Sequence, residues 1–264
     1  MKNFRFHRPQ SVAEAVAVMN GAEAGKYLAG GQSLLPVMKL GLAEPTDVIA
    51  LDALRELNEV RVDGEALVIG ALATHYQVHT SPHVNKLAPA LADLAGHIGD
   101  AQVRNRGTLG GSVAHADPAA DYPAALLALD AVVHTDRRAL PAEAFFTGLF
   151  ETALEPDELV TAVRFSLPRK SAYVKFAHRA SKYAVVGVMV ARLDKGFRVA
   201  VTGAGPKAFR LPELEARLAK SCGPDAFEGF YLSPGELNGD HDASAEYRAH
   251  LVGVLARRAV AAAA

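Results

Sequence analysis

The sequence has only one cysteine, Cys222, and no tryptophan in its 264 residues. A single thiol cannot form an intrachain disulfide, and it cannot supply the ligands of a four-cysteine zinc site or of an iron–sulfur cluster. If the protein handles electrons, its iron must therefore lie in another chain, or an organic cofactor must take the place of iron.

Neither sign of charge is in excess, because 28 Lys and Arg face 29 Asp and Glu and leave a net charge of −1. This balance argues against a strongly basic nucleic-acid-binding protein. Hydrophobic residues make up 50% of the chain and charged residues 22%, which is typical of a packed globular protein and excludes a disordered one.

Long hydrophobic runs are also missing. The segment LVIGALA (67–73) is too short to cross a bilayer, and AVVGVMVA (184–191) ends at Arg192. The N-terminal segment MKNFRFHRPQ carries charge with no apolar stretch behind it, so it does not resemble a secretory signal. These features predict a cytoplasmic protein with no membrane span.

The first 55 or so residues predict a small β-α-β lobe. Ser11 and Glu14 have the spacing of a capping box, and Asn20-Gly21 closes the helix that they begin. A short apolar strand, Tyr27–Ala29, then runs into two glycines. The segment TDVIALDAL (46–54) predicts a second strand and a turn.

A second lobe is predicted from about residue 56 to residue 168. It begins with a strand and a helix capped by Thr74 in ALVIGALATHY (66–76), followed by a helical stripe in 87–99. Residues 100–121 are polar and rich in glycine, and they predict a long functional loop. YPAALLALDA then predicts a helix and AVVHTD a strand.

A third, α+β lobe is predicted for residues 169–264, after turn chemistry in SLPRKS (166–171). Alternation at Phe197, Val199 and Val201 favours an antiparallel strand. The final helix carries an apolar stripe at four positions: Tyr247, Leu251, Val254 and Leu255.

Two glycine loops carry the clearest chemical signal. AGGQS (29–33) and TLGGS (108–112) each place adjacent glycines beside hydroxyl or amide side chains. Such loops let backbone N–H groups approach an anionic oxygen closely, as in a phosphate nest, although one loop alone is more often a tight turn. Two of them, following different lobes, predict cradles for the two phosphates of a dinucleotide lying between the lobes.

Other patterns are better explained structurally. Pro206 removes an N–H from GAGPKA (203–208), and no amphipathic helix follows, so this segment predicts a turn rather than a nucleotide fingerprint. Metal binding is the weaker explanation for two sets of side chains: His75, His79 and His83, and His115, Asp117 and Asp121. Arg104 and Arg106 predict either a solvated loop face or an anion or partner site. Cys222 sits in a Ser-Cys-Gly-Pro turn with no neighbouring His in sequence, so we do not expect it to be a nucleophile.

The two glycine loops and their surroundings make the chain recognisable. AGGQSLLPVMKLGLAEPTDVIALDAL and IGDAQVRNRGTLGGSVAHADPAADYPAALLALDA resemble the FAD-binding medium subunit of molybdenum hydroxylases. This is the family of the carbon monoxide dehydrogenase medium subunit and the xanthine dehydrogenase flavin domain. The resemblance continues through YVKFAHRASKYAVVGVMVA and AEYRAHLVGVLARRAV, and so covers essentially the whole chain. It implies an α+β, vanillyl-alcohol-oxidase (PCMH) type FAD-binding fold, with two α/β lobes and a C-terminal α+β lobe.

The resemblance also implies which residues bind FAD. Asp121 matches an acidic residue at the adenosine end, and Lys175 matches a lysine near the flavin ring, where its charge stabilises the reduced anion. A solvated strand lysine is the alternative for Lys175. Lys182 departs from the family, which frequently has Asp there. The full set of predicted binding residues is Tyr27, Leu28, Ala29, Gly30, Gly31, Gln32, Ser33, Leu34, Ile98, Thr108, Gly110, Gly111, Ser112, His115, Asp121, Val160, Lys175 and Tyr183.

The function implied is that of an electron-transfer subunit with no catalytic acid–base pair and no metal of its own. A large partner subunit would hold the molybdenum cofactor and a small one the [2Fe-2S] clusters, in a heterotrimer or its dimer. Two alternatives stay open at this point. One is a free-standing FAD-dependent oxidoreductase of the same fold, and the other is a non-redox module that binds a phosphate-containing ligand.

Overall fold

The N-terminal part of the chain folds around a small parallel sheet. The structure is a computed structural model that describes residues 2–263. The first elements are β1 (Arg5–His7), α1 (Val12–Asn20), β2 (Gly25–Leu28), α2 (Leu34–Lys39) and β3 (Asp47–Ala50). The strand order is β1-β3-β2, and both pairings are parallel. The predicted β-α-β lobe is therefore confirmed.

The start of α1 confirms half of the predicted capping box. The Ser11 hydroxyl accepts a hydrogen bond from the Glu14 N–H at 3.1 Å, as expected for an N-cap. The Glu14 carboxylate does not return to Ser11, and instead accepts from the backbone N–H of Gln10 at 2.7 Å. The Glu14 carboxylate thus binds the residue before the N-cap. The hydrogen bond from the Ser11 N–H to Glu14 that would complete a capping box is absent.

The middle of the chain builds an antiparallel sheet with helices packed on it. Its elements are β4 (Val60–Asp63), β5 (Ala66–Gly70), α3 (His75–Thr80), α4 (Pro82–Leu87), α5 (Pro89–Gly96), α6 (Ala101–Arg106), α7 (Leu109–His115), α8 (Tyr122–Ala128), β6 (Val132–Thr135), β7 (Ala139–Pro141), α9 (Ala142–Phe145), β8 (Phe146–Gly148), β9 (Glu151–Thr152) and β10 (Val160–Ser166). The five-stranded sheet has the order β4-β5-β10-β6-β7, and β8 pairs with β9. The predicted cap of α3 is confirmed, because Thr74 and Gln77 form a complete capping box.

The prediction of a long loop over residues 100–121 is wrong, because this segment contains the two helices α6 and α7. Asp100 caps α6 by accepting the Val103 N–H at 2.8 Å, and Thr108 caps α7 by accepting the Gly111 N–H at 3.1 Å. Each helix spans two turns or fewer, and α7 ends where Ala116 takes a left-handed φ of 49°. Helices this short show no hydrophobic periodicity, so their caps were the only available signal.

The C-terminal part is a four-stranded antiparallel sheet covered by two helices. Its elements are β11 (Lys170–Ala177), β12 (Ala184–Leu193), β13 (Gly196–Thr202), β14 (Phe209–Arg210), α10 (Pro212–Lys220) and α11 (Ala245–Ala262). The strand order is β11-β12-β13-β14. The α+β arrangement and the antiparallel strands predicted for this region are confirmed.

The buried face of α11 differs from the predicted stripe. Leu251 and Leu255 are buried as expected, but Tyr247 is exposed. Arg248 takes an inward position, because its guanidinium donates to the carbonyls of Val185 and Gly203. A charged residue can face the core here because it satisfies backbone carbonyls that would otherwise be buried without donors.

Helix α8 lies at the centre of the molecule. All seven of its residues are buried, and one hydrophobic cluster joins Tyr122 to Phe165 of β10 and to Met189 of β12. The core therefore continues from the middle sheet into the C-terminal sheet. Across residues 2–263 no helix combines the length and the apolar character that crossing a bilayer needs.

Candidate functional site

A cavity of about 700 Å³ brings most of the predicted residues together. Its walls come from both glycine loops, from the turn before α8 and from the tip of the hairpin between β11 and β12. All but two of the residues predicted to bind FAD line it, and the exceptions are Leu28 and Lys175. Segments far apart in sequence therefore converge on one site.

The first glycine loop has the free donors that an anion needs. It follows β2, and Gly31 adopts a φ of +74°, a left-handed conformation that favours glycine. Within residues 2–263, the backbone N–H groups of Gly31, Gln32 and Ser33 have no acceptor, and all three residues line the cavity. Successive N–H groups facing a cavity form a nest for phosphate oxygens.

The two glycine loops pack directly against each other. A Cβ at Gly30 would overlap the carbonyl of Arg106, which ends α6. A Cβ at Gly111 would lie 2.8 Å from the Thr108 hydroxyl oxygen and 3.7 Å from the Ala29 Cβ. Glycine is therefore required at position 30 for the loop to approach α6, whereas Gly111 is exposed and presents its bare backbone to the cavity.

The second loop does not form the phosphate nest that its glycines predict. Its N–H groups are already used, because Leu109 donates to the Ala73 carbonyl at 3.0 Å and Gly110 to the Ala71 carbonyl at 2.8 Å. The Gly111 N–H donates to its own cap, Thr108. This loop instead offers a flat backbone surface and the Ser112 side chain. The site thus contains one nest of free N–H groups rather than two.

Asp121 lies at another wall of the cavity, in a buried cluster. Its carboxylate accepts hydrogen bonds from the Tyr173 hydroxyl and from Lys175 Nζ, the latter at 2.9 Å. Lys175 Nζ also donates to the His97 carbonyl at 3.2 Å. Burial raises the pKa of the Asp121 carboxyl, and the Lys175 charge and the Tyr173 hydroxyl oppose that rise.

The contacts of this cluster bear on the roles predicted for Asp121 and Lys175. Asp121 makes no side-chain cap to α8, and its oxygens accept hydrogen bonds from Tyr173 and Lys175. The Lys175 side chain is only 5% exposed, so it is not a solvated strand lysine. The adenosine and flavin ends of an extended dinucleotide are far apart, so two residues in contact cannot serve one end each. Lys175 does not line the cavity and acts on it through Asp121.

The hairpin tip contributes Ser181, Lys182 and Tyr183 to the cavity wall. The turn is closed by two hydrogen bonds, from the His178 N–H to the Tyr183 carbonyl and from the Lys182 N–H to the His178 carbonyl. Lys182 has a φ of +64°. This left-handed conformation is uncommon for a residue with a long side chain.

His75 is a cavity residue that the sequence did not single out for this site. It begins α3 and is buried, and its Nδ1 has no hydrogen-bond partner in the described chain. Burial, together with the nearby charge of Arg104, lowers the pKa of His75 to about 4, so the ring is neutral. Arg104 is partly buried, and one nitrogen of its guanidinium donates to the carbonyls of Ile98 and Gly99.

The structure separates some of the residues that the weaker motifs group together. His75 and His79 lie on α3, but His83 lies on α4, so the three do not share one helix face. Among residues 2–263, no three His, Cys, Asp or Glu side chains are grouped so as to hold a metal ion. The segment 203–208 is the turn between β13 and β14, as predicted, and Cys222 is an exposed free thiol.

Comparison with known proteins identifies relatives along nearly the whole chain. Residues 2–169 match the family model described as the FAD binding domain in molybdopterin dehydrogenase. The carbon monoxide dehydrogenase medium chain of Hydrogenophaga pseudoflava is 36% identical, over 98% of this chain and 96% of that protein. The nicotine 6-hydroxylase medium subunit of Paenarthrobacter nicotinovorans is also 36% identical, over 97% and 95%.

Solved structures agree with this result over the full fold. A chain of carbon monoxide dehydrogenase from Hydrogenophaga pseudoflava superposes with a TM-score of 0.91 at 34% identity, covering 99% of this chain and 97% of that one. A chain of quinoline 2-oxidoreductase from Pseudomonas putida 86 gives 0.90 at 28% identity, covering 100% and 98%. This chain therefore belongs to the family of FAD-binding subunits of molybdopterin dehydrogenases.

Proposed function

We propose that this chain is the flavin-carrying medium subunit of a molybdenum hydroxylase. It takes electrons from [2Fe-2S] clusters on a partner chain and passes them through FAD to an external acceptor. The observation that carries the proposal is the nest of free N–H groups at residues 31–33, which opens into a cavity bounded by all three parts of the fold.

The residues present fit FAD. A cavity of about 700 Å³ lies within the range of cofactor sites, and its walls are largely apolar with a few polar groups placed along them. The nest suits the pyrophosphate, because it offers neutral donors and needs no counter-charge from a side chain. Four acidic residues line the cavity, Asp117, Asp121, Glu155 and Glu158. Asp121 is the buried one held by Tyr173 and Lys175, and its carboxylate would accept hydrogen bonds from N–H or hydroxyl groups of the cofactor.

Each element of the site has a separate task in this proposal. Gly31, Gln32 and Ser33 hold the pyrophosphate, and the exposed backbone of Gly111 lets the cofactor lie close to α7. Tyr183 lines the cavity and offers an aromatic face against which the flavin ring would pack. When bound, FAD supplies the redox chemistry, since it accepts electrons singly and releases a pair. The protein orients the cofactor and sets the electrostatics around it, which is why no catalytic dyad is needed.

The partners follow from what the chain cannot hold. Its one cysteine, Cys222, cannot bind an iron–sulfur cluster, and the relatives named above are medium chains or subunits of larger enzymes. We infer a large subunit with the molybdenum cofactor and a small subunit with [2Fe-2S] clusters, in a heterotrimer or its dimer. The cytoplasmic location and a domain boundary near residue 168 stay predictions.

Purification of the full-length chain from its native source tests this function. We expect a yellow complex with a flavin absorbance spectrum, in which two further chains bring molybdenum and iron. A colourless preparation with no bound flavin would contradict the flavoprotein assignment. Turnover of a small substrate by this chain alone would instead favour a free-standing oxidoreductase.

A further inference from the structure

Tyr173, Lys175 and Asp121 form a buried cluster in which only Asp121 reaches the cavity. Tyr173 and Lys175 lie two residues apart on β11, so both side chains leave the same face of the strand. They meet the Asp121 carboxylate from that face, and neither lines the cavity itself. Both of them therefore act on a cavity ligand only through Asp121.

The tyrosine hydroxyl fits because of a glycine on the next strand. Gly187 of β12 pairs with Lys175 in the register, and a Cβ at Gly187 would overlap the Tyr173 hydroxyl oxygen. The same Cβ would lie 2.9 Å from Cγ2 of Thr202 on β13. Gly187 interrupts a run of bulky residues, AVVGVMVA, and no left-handed φ explains it. Its role is to leave room for the tyrosine.

Two donors fix the orientation of one carboxylate. Lys175 also donates to the His97 carbonyl, so its position is set by α5 and not by Asp121 alone. Without the Tyr173 hydroxyl, one oxygen of the nearly buried Asp121 carboxylate would lose its donor, and Lys175 Nζ alone would hold the group. The hydroxyl therefore determines which lone pairs of Asp121 face the cavity.

We propose that Tyr173 is a positioning residue for the FAD site, holding Asp121 in the orientation in which its carboxylate accepts a hydrogen bond from the cofactor, and that Gly187 is required for this contact. This inference rests on the proposed function, because it takes FAD as the ligand of the cavity. It adds two residues, Tyr173 and Gly187, that do not touch the cavity.

Tyr173→Phe tests the proposal, with Tyr122→Phe as its matched control. Both changes remove one buried hydroxyl, but the Tyr122 hydroxyl has no hydrogen-bond partner in the described chain. FAD is titrated into apoprotein of the full-length chain, together with the partner subunits that purify with it, and flavin fluorescence is followed. We expect the Kd of FAD to rise about tenfold for Tyr173→Phe, the loss of one charge-assisted hydrogen bond. For Tyr122→Phe we expect less than a twofold change.

A double-mutant cycle shows whether the effect passes through Asp121. In an Asp121→Asn background, Tyr173→Phe should change the Kd less than twofold further, since the positioned carboxylate is already gone. Additive effects would overturn the proposal, as would an unchanged Kd in Tyr173→Phe alone. Gly187→Ala should reproduce the Tyr173→Phe effect and shift the flavin absorbance in the same direction, which keeps the test valid if Tyr173→Phe folds poorly. Wild-type protein that binds no FAD would instead contradict the proposed function itself.

Discussion

Lys175 Nζ lies 2.9 Å from the Asp121 carboxylate, and the two side chains are 5% and 4% exposed. The residues come from β11 and from the turn before α8, and they are 54 positions apart in sequence. Their contact makes them one electrostatic unit at the cavity wall. An ammonium and a carboxylate withdrawn from water depend on each other, because either one alone would be a buried, unpaired charge.

The first prediction concerns this ion pair. Lys175→Met should lower the free energy of unfolding by about 3–5 kcal/mol, because Asp121 would keep its burial and lose its counter-charge. Urea denaturation followed by circular dichroism measures the effect. The double variant Lys175→Met/Asp121→Asn should recover part of the loss. Lys195→Met, at an exposed lysine in the turn after β12, is the control. A loss no larger than that of this control would show that the pair contributes little.

The second prediction uses the exposed backbone of Gly111. Gly111→Val should retain less than about a tenth of the wild-type flavin, because the side chain would occupy the cavity where the cofactor approaches. The new Cβ would lie 2.8 Å from the Thr108 hydroxyl that caps α7, so the protein should stay folded with that side chain shifted. Bound flavin is measured from absorbance after gel filtration, and folding from the thermal melt. Gly253→Val on α11, where a Cβ meets nothing within 4 Å, should keep full flavin. Wild-type flavin content in Gly111→Val would remove the second loop from the site.

The third prediction contrasts Gly30 with Gly111. A Cβ at position 30 would overlap the Arg106 carbonyl, and backbone cannot move aside as a flexible side chain can. Gly30→Ala should therefore lower both stability and flavin content, with a loss of about 1–3 kcal/mol from overpacking. Chemical denaturation and flavin absorbance together check it. Gly235→Ala, whose Cβ would meet only the Ser233 hydroxyl at 3.7 Å, should change neither.

The fourth prediction is a pH dependence from His75. Its folded pKa of about 4 lies below the ordinary 6.5, so the unfolded chain binds the proton more readily. The stability that the neutral ring provides is present above pH 6.5 and is lost as the pH falls toward 4. Between pH 7 and pH 5 this single group should cost about 2 kcal/mol.

Denaturation at both pH values measures this loss in the wild type and in His75→Phe, which cannot take up a proton. The decrease in stability on acidification should be smaller in the variant by that amount. Equal decreases in the two proteins would show that His75 is not the group that titrates.

The sequence predicted those features that depend on neighbouring residues. Three predictions of this kind are confirmed: the cap at Thr74, the strand before Gly30 and the alternation in β13. Each depends on a local pattern of side chains. Nearly all of the binding residues that the resemblance implied do line the cavity, since the glycine loops that carry it are themselves contiguous in sequence. Helices α6 and α7 were missed because two turns or fewer contain no periodicity to read.

Contacts between segments that are distant in sequence could not be predicted from the sequence. Two glycine pairs with the same local chemistry predicted two phosphate nests. In the folded chain, however, the N–H groups of Leu109 and Gly110 donate to the carbonyls of Ala73 and Ala71. Only the first loop kept its donors. In the same way, Asp121 and Lys175 were assigned to separate ends of a cofactor until the fold placed them in contact.

The sequence by itself therefore determined the longer helices and several strands, a cysteine count too low for an iron–sulfur cluster and, through its motifs, the family. Only the tertiary structure decided which N–H groups are free to bind an anion, which carboxylate faces the cavity and what holds it there. The physical reason is that secondary-structure propensity and helix capping depend on residues a few positions apart. Burial and hydrogen-bond satisfaction depend on segments that are distant in sequence and pack against the site. A lone carboxylate at position 121 becomes part of a cofactor site because a lysine and a tyrosine on another strand compensate its burial.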